Sequence, residues 1–152
     1  FNGRKALIEE WEKIEEQLKL RNMPMVLNHA DFHMNNLIYS DDGRLTLIDY
    51  PSMCYTYEAY DLGFMFCAYD FLNIFGRIPE GQPDYDENIK DLFCRYYLKH
   101  KLALPDISAV DNDRLQSFKA DCNAMQPLAI FGTLAICMAK HGTGEIQFDT
   151  KL

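Results

Sequence analysis

The sequence predicts an α+β fold, mostly helical, in which a small β hairpin carries a polar loop. Three observations predict it: a helical apolar stripe near the start, an Asp-Gly turn between two short apolar runs, and a return to helical periodicity from Tyr57 onward. Strands and helices fall in separate blocks, without the repeating strand-helix-strand order of a doubly wound sheet. At 152 residues, 48% of them hydrophobic, the chain is read as a single domain over residues 1–152 with a core of its own.

Leu7, Trp11, Ile14 and Leu18 recur at helical spacing in the amphipathic segment 5–21, while Glu9, Glu12, Glu15 and Glu16 lie mainly off that stripe. The acidic run is therefore a solvated face. After Pro24 come the extended runs 25–27, 37–39 and 45–48, the last two separated by Ser40-Asp41-Asp42-Gly43-Arg44. Asp-Gly between apolar runs marks a hairpin, because glycine reaches the positive φ such turns require. Helical periodicity then predicts helices over 57–75, 86–100 and 113–141, with Pro127 kinking or breaking the last. The apolar stretch 127–139 is too short for the roughly 20 residues that span a bilayer, and is read as a buried helix. No membrane span is expected. The only Pro- and Gly-rich stretch is short, around Gly76, Pro79, Gly81 and Pro83.

Composition excludes some function classes. With 15 Lys+Arg against 23 Asp+Glu the formal charge is −8, and no long basic cluster offers a footprint for nucleic acid. Cys54, Cys67, Cys94, Cys122 and Cys137 are odd in number, lack a C-x-x-C pair and sit among apolar neighbours. They read as buried free thiols of a reducing compartment, and the chain is placed in the cytoplasm. Nothing near Phe1 has the layout of a secretory signal. Oligomeric state is not fixed by the sequence, and a homodimer remains open.

The chemistry concentrates in His29-Ala30-Asp31-Phe32-His33-Met34-Asn35-Asn36 and in Leu47-Ile48-Asp49-Tyr50. A loop between strands presents Asp31 and Asn36, and Asp49 ends the returning strand of the hairpin beside them. Two carboxylates and an amide oxygen are hard donors, suited to Mg²⁺ shared with substrate phosphates. A carboxylate kept off the metal can accept the proton of an attacking hydroxyl, the division of labour of phosphoryl transfer. Asp31 is thus the candidate catalytic base, and Asn36 and Asp49 are the candidate Mg²⁺ ligands. His29 reads as a brace for the loop. His29, Asp31 and His33 also admit a second reading, three zinc ligands on one strand face.

These residues resemble a known family. Asn28-His29-Ala30-Asp31 with Asn36, Leu47-Ile48-Asp49-Tyr50 and Ala59-Tyr60-Asp61-Leu62-Gly63 are similar to the catalytic loop, metal-binding motif and following helix of the choline/ethanolamine kinases. The segment 123–140 is similar to that family's long C-terminal helix, and Glu145-Ile146-Gln147-Phe148-Asp149 to the acidic-aromatic segment after it. Aminoglycoside phosphotransferases share the first two motifs but not that helix. The resemblance implies the C-terminal lobe of a protein-kinase-like fold. It also implies Mg²⁺-dependent transfer of the ATP γ-phosphate to the hydroxyl of choline or ethanolamine, a step of phospholipid head-group synthesis. Asp31 would be the base, Asn36 and Asp49 the metal ligands, and Asp61 a holder of the catalytic loop through backbone hydrogen bonds.

The chain departs from the family at several places. Tyr50 is followed by Pro51 where the family has an aromatic and then Glu, and Ala68 stands where it commonly places an acid. Phe131 and Leu134 replace two tryptophans that box the substrate's ammonium by cation–π attraction; Phe131 keeps a π face and is the candidate substrate-binding residue. Only 28 residues precede His29, and no G-x-G-x-x-G occurs; Gly142-Thr143-Gly144 reads as a helix C-terminal signal. The nucleotide-binding lobe of such a kinase is therefore expected to be absent, and no ATP-binding residue is assigned here. That lobe becomes the expected partner, alongside a small amino-alcohol substrate. Two other functions are weighed against this one: a non-catalytic ligand-binding or scaffold lobe, and a kinase of the aminoglycoside-phosphotransferase kind.

Overall fold

The apolar stripe of the first helix, α1 (Gly3–Leu20), deepens along its length: Trp11 is 38% exposed, Ile14 half-buried and Leu18 buried. The computed structural model to which this helix belongs describes residues 3–74 and 87–141. On the opposite face of α1, Lys5–Glu9, Lys13–Glu10 and Lys19–Glu15 form exposed pairs one turn apart, as a solvated acidic face predicts. The helix stops where Asn22 takes a positive φ of 50°, a conformation that asparagine tolerates better than most residues.

Strand β1 (Met25–Asn28) follows, then β2 (Leu37–Tyr39), β3 (Leu45–Leu47) and β4 (Cys54–Tyr57). They form two antiparallel ribbons, β1 with β4 and β2 with β3. The β2–β3 hairpin is an excursion between the two strands of the other ribbon, whose register runs Met25 opposite Tyr57 to Asn28 opposite Cys54. The expected turn is present, with Gly43 at φ 81° and its amide donating to the Ser40 carbonyl at 2.9 Å. Asp42 accepts from the Ser40 hydroxyl at 2.6 Å and the Arg44 Nε at 2.7 Å, which pins the tip.

Three helices complete the fold: α2 (Tyr60–Ile74), α3 (Glu87–Lys101) and α4 (Asn112–His141). All three were expected, within one to three residues at the described ends. The core joins Leu62, Met65 and Phe66 of α2 to Cys94 and Leu98 of α3 and to Leu115, Phe118, Cys122 and Met125 of α4. Tyr97 stacks on Phe118 at 4.9 Å and donates its hydroxyl to Glu58 at 2.9 Å. Buried Glu58 also pairs with Lys101, so its charge is compensated inside the fold. Burial first, and then this hydrogen bond to Glu58, pushes the Tyr97 phenol well above its ordinary pKa.

Two expectations are corrected and one is narrowed. Of the kink or break expected at Pro127 the break is excluded, since α4 continues through it. The stretch from Pro127 is not wholly buried: Ile130 and Leu134 are 45% and 37% exposed, because neighbours cover one side of the helix only. Cys54 is exposed on its ribbon, Cys67 is half-buried, and only Cys94 and Cys122 among the described thiols are core residues. The Cys137 side chain, the stretch 76–83 and the segments 142–144 and 145–149 lie outside the described residues.

Gly63 decides how closely α2 approaches α4. A Cβ at that position would meet the Cys122 carbonyl oxygen at 2.4 Å and the Met125 Cβ at 2.5 Å, neither of which is a flexible side-chain end. Gly63→Ala must therefore push two core helices apart. We expect it to cost at least about 2 kcal/mol, read from the shift in denaturation midpoint; a variant as stable as the parent would show that the helices do not meet this closely.

Candidate active site

The site is built at the two junctions where the chain leaves one ribbon for the other. Residues 29–36 carry it from β1 to β2, and residues 48–53 carry it from β3 back to β4. The two segments lie side by side: the Ile48 amide donates to the Asn36 carbonyl at 2.9 Å, and the His29 Nε2 lies 2.8 Å from the Ile48 carbonyl. A carbonyl can only accept, so His29 donates from Nε2, while its Nδ1 is buried and has no hydrogen-bond partner among the described residues. His29 thereby braces the first segment against the residue before Asp49. Tyr50 packs edge-on against its ring at 5.1 Å and donates its hydroxyl to the Leu47 carbonyl at 2.7 Å.

Asp61, in the first turn of α2, holds the loop from below. Its two carboxylate oxygens accept the backbone amides of His29 and Ala30, each at 2.8 Å. Ala30 sits at φ 64°, a left-handed conformation that costs a non-glycine residue roughly 1–2 kcal/mol. Two charge-assisted bonds to consecutive amides offset that cost and turn the chain sharply. The following residues alternate: Phe32 packs against the core, while Asp31 and His33 point to the polar side.

On that side Asn36 is buried, and its Nδ2 donates to the Asp31 carbonyl at 2.8 Å and to Asp31 Oδ2 at 3.2 Å. These contacts fix the amide orientation, so Oδ1 is turned away and takes no hydrogen bond among the described residues. Asp49 is exposed and left-handed, at φ 66° and ψ 63°, at the head of the turn Tyr50–Ser52, with Pro51 in its opening positions. Its carboxylate makes no capping bond. Asn36 Oδ1 and the Asp49 carboxylate take no hydrogen bond among the described residues and lie on adjoining segments, one of which carries Asp31; as hard oxygen donors they suit a divalent cation shared with phosphate oxygens. Nearby, burial first, and then the fields of Cys54, Asp61 and Asp31, raise the Tyr60 pKa and keep that phenol protonated.

The structure thus brings Asp31, Asn36 and Asp49 onto adjoining segments. It gives no support to the zinc reading: His29 is turned to the Ile48 carbonyl, and no three His, Cys, Asp or Glu side chains gather around one point among the described residues. Phe131 is engaged elsewhere, its ring 5.3 Å from that of Trp11, so the candidate substrate face is shared with α1. Ala68 is half-buried in α2 and brings no charge. Two features escaped the sequence reading, the left-handed Ala30 and the contact between His33 and Asp31. The H-x-D-x-H spacing was the only signal that could have pointed to the second.

A model of the choline/ethanolamine kinase family matches residues 3–151. The chain belongs to the choline/ethanolamine kinase family. Among its relatives, mouse ethanolamine kinase 2 is 32% identical over 97 residues, covering 62% of this chain and 24% of the relative. The Drosophila melanogaster ethanolamine kinase is 28% identical over 149 residues, 94% of this chain and 26% of the relative. A solved Plasmodium vivax ethanolamine kinase superposes with a TM-score of 0.68 at 18% identity, over 95% of this chain and 35% of that one. That likeness establishes the kinase-like α+β fold. The chain spans about a quarter to two fifths of the length of the curated relatives it matches.

Asp61→Ala removes both acceptors and leaves the His29 and Ala30 amides to be resatisfied. We expect a loss of about 2–4 kcal/mol in stability. Hydrogen exchange of those two amides should accelerate as well. Unchanged protection of both would show that the loop does not hang on this carboxylate.

Proposed function

We propose that this chain supplies the catalytic loop of a kinase that transfers the γ-phosphoryl group of Mg²⁺-ATP to the hydroxyl of a small amino-alcohol, with ethanolamine as the first candidate, in phospholipid head-group synthesis. One observation carries the reading: the partly exposed Asp31 carboxylate stands on a braced loop with Asn36, and Asp49 heads the turn of the segment hydrogen-bonded to that loop. Asp31 accepts the hydroxyl proton as the oxygen attacks, which general-base catalysis makes worth roughly 10²–10⁴-fold in rate. Asn36 Oδ1 and the Asp49 carboxylate are the residues that would hold Mg²⁺. When bound, that ion neutralises charge building on the transferred phosphoryl oxygens.

The ethanolamine assignment is supported by the relatives, which are named ethanolamine kinases, and by chemistry. A primary ammonium donates hydrogen bonds and asks less of an aromatic box than a quaternary one. Phe131 offers a single π face, and Leu134 offers none. The nucleotide is held, in this reading, by a further lobe outside these 152 residues, which the short span relative to the curated relatives supports. The reaction is assigned to the cytoplasm, in keeping with free thiols at Cys54, Cys67, Cys94 and Cys122. Among the described residues no helix is long and apolar enough to cross a membrane.

The test is turnover of labelled ATP by the full-length protein with ethanolamine, choline and an aminoglycoside in parallel. Ethanolamine should give the highest kcat/KM, and Asp31→Asn should lower kcat about a hundredfold or more. Undiminished turnover in Asp31→Asn would remove the base, and saturable ethanolamine binding without turnover would make this a binding lobe. Asp49→Asn should raise the Mg²⁺ concentration needed for half-maximal rate without lowering the melting temperature, because its carboxylate is exposed and carries no structural hydrogen bond. An unchanged Mg²⁺ requirement would take Asp49 out of the metal site.

A further inference from the structure

We propose that His33 is a positioning residue for Asp31, an inference that rests on Asp31 being the base. Its ring nitrogens have different tasks. Nδ1 accepts the Asn35 amide at 3.2 Å, so it carries no proton, and the remaining proton must sit on Nε2. Nε2 lies 3.4 Å from Asp31 Oδ1, a contact within ion-pair reach that is not an aligned hydrogen bond. The Asn36 Nδ2, 3.4 Å from the same nitrogen, is also a donor, so that approach is a contact and not a hydrogen bond. The two oxygens of the base therefore have different neighbours: Oδ2 accepts from Asn36, and the His33 Nε2–H is the polar group set against Oδ1.

The imidazole is itself held. Phe64 of α2 lies against it, with ring centroids 6.3 Å apart, and Phe64 is backed by Tyr60 at 6.1 Å. His33 is the N-cap of the short turn Met34–Asn36, and this alone would be reason enough for its Nδ1. An asparagine or serine would cap as well. Only a longer side chain with a second nitrogen both caps the turn and reaches the carboxylate. Without that second donor, Asp31 is held from the Asn36 side alone and its carboxylate can swing about χ2, away from the line on which a hydroxyl proton is collected.

The two tasks can be separated in the full-length protein. His33→Asn keeps an acceptor near the position of Nδ1 and loses the reach to Asp31. His33→Gln keeps a donor near the position of Nε2 and loses the cap. We expect His33→Asn to lower kcat about ten- to a hundredfold with KM for the alcohol within about twofold. His33→Gln should keep kcat within about threefold while melting at a lower temperature. Parental kcat in His33→Asn, or equal loss of kcat in both variants, would overturn the assignment. Ring ¹⁵N resonances of the parent protein give a readout that needs no turnover, with the His33 signals identified by their loss in His33→Asn. An Nε2–H tautomer whose Nε2 resonance moves in Asp31→Ala supports the contact, and an Nδ1–H tautomer overturns it. A parent protein with no kinase activity but with this NMR signature would defeat Asp31 as base while leaving the geometry of the pair standing.

Discussion

The carboxylate of Asp61 is the contact on which the rest of the site depends. It sits in the first turn of α2, where the helix end favours negative charge, and it takes the amides of His29 and Ala30 together. That pair of bonds makes a left-handed alanine tolerable, and the left-handed alanine in turn sends Asp31 to the polar side and Phe32 to the core. The helix that carries Asp61 is seated in its turn by Gly63, two residues on, against the backbone of α4. Loop geometry and core packing therefore meet within three consecutive residues, Asp61-Leu62-Gly63.

Asp49 reaches the same place by a different route. It is placed by the end of β3, and the brace between His29 and the Ile48 carbonyl fixes the distance between the two segments. The arrangement needs both ribbons, because an isolated two-stranded hairpin is marginal in water. Strand β4 closes the outer ribbon on β1, and Asn28 caps that junction by donating from Nδ2 to the carbonyls of Val26, Thr56 and Tyr57.

Much of this was legible in the chain, because it is encoded locally. The Ser40–Arg44 turn, the helical stripes of α1 through α4 and the Asp31–Asn36 spacing all depend on residues within a few positions of one another. The strand Cys54–Tyr57 went unseen for the converse reason. It lies directly after a proline-bearing turn, its exposed residues show no alternation, and its partners are 26 to 32 residues upstream, at the far side of an inserted hairpin. The conformation of Ala30 was equally hidden, since alanine gives no warning of a positive φ, which here is set by a carboxylate about thirty residues downstream. Expecting 127–139 to be buried mistook apolarity for coverage: Ala129 is buried and Phe131 meets Trp11, while Ile130 and Leu134 are exposed on the same stretch of α4.

The same distinction explains where the chain departs from its family. Asn36 and Asp61 are tied by side-chain hydrogen bonds into the backbone of the fold, so replacing either disturbs structure. Leu134 is 37% exposed and Ala68 lies half-buried in a helix, and neither holds a loop in place. Positions of that kind can change at little cost in stability. Phe131 is intermediate: its ring already has a partner in Trp11, so an ammonium drawn to it would meet the remaining face or displace that contact. Side chains that hold the loop are thus built into the fold, whereas Ala68 and Leu134 rest at positions where a change of side chain leaves the loop undisturbed.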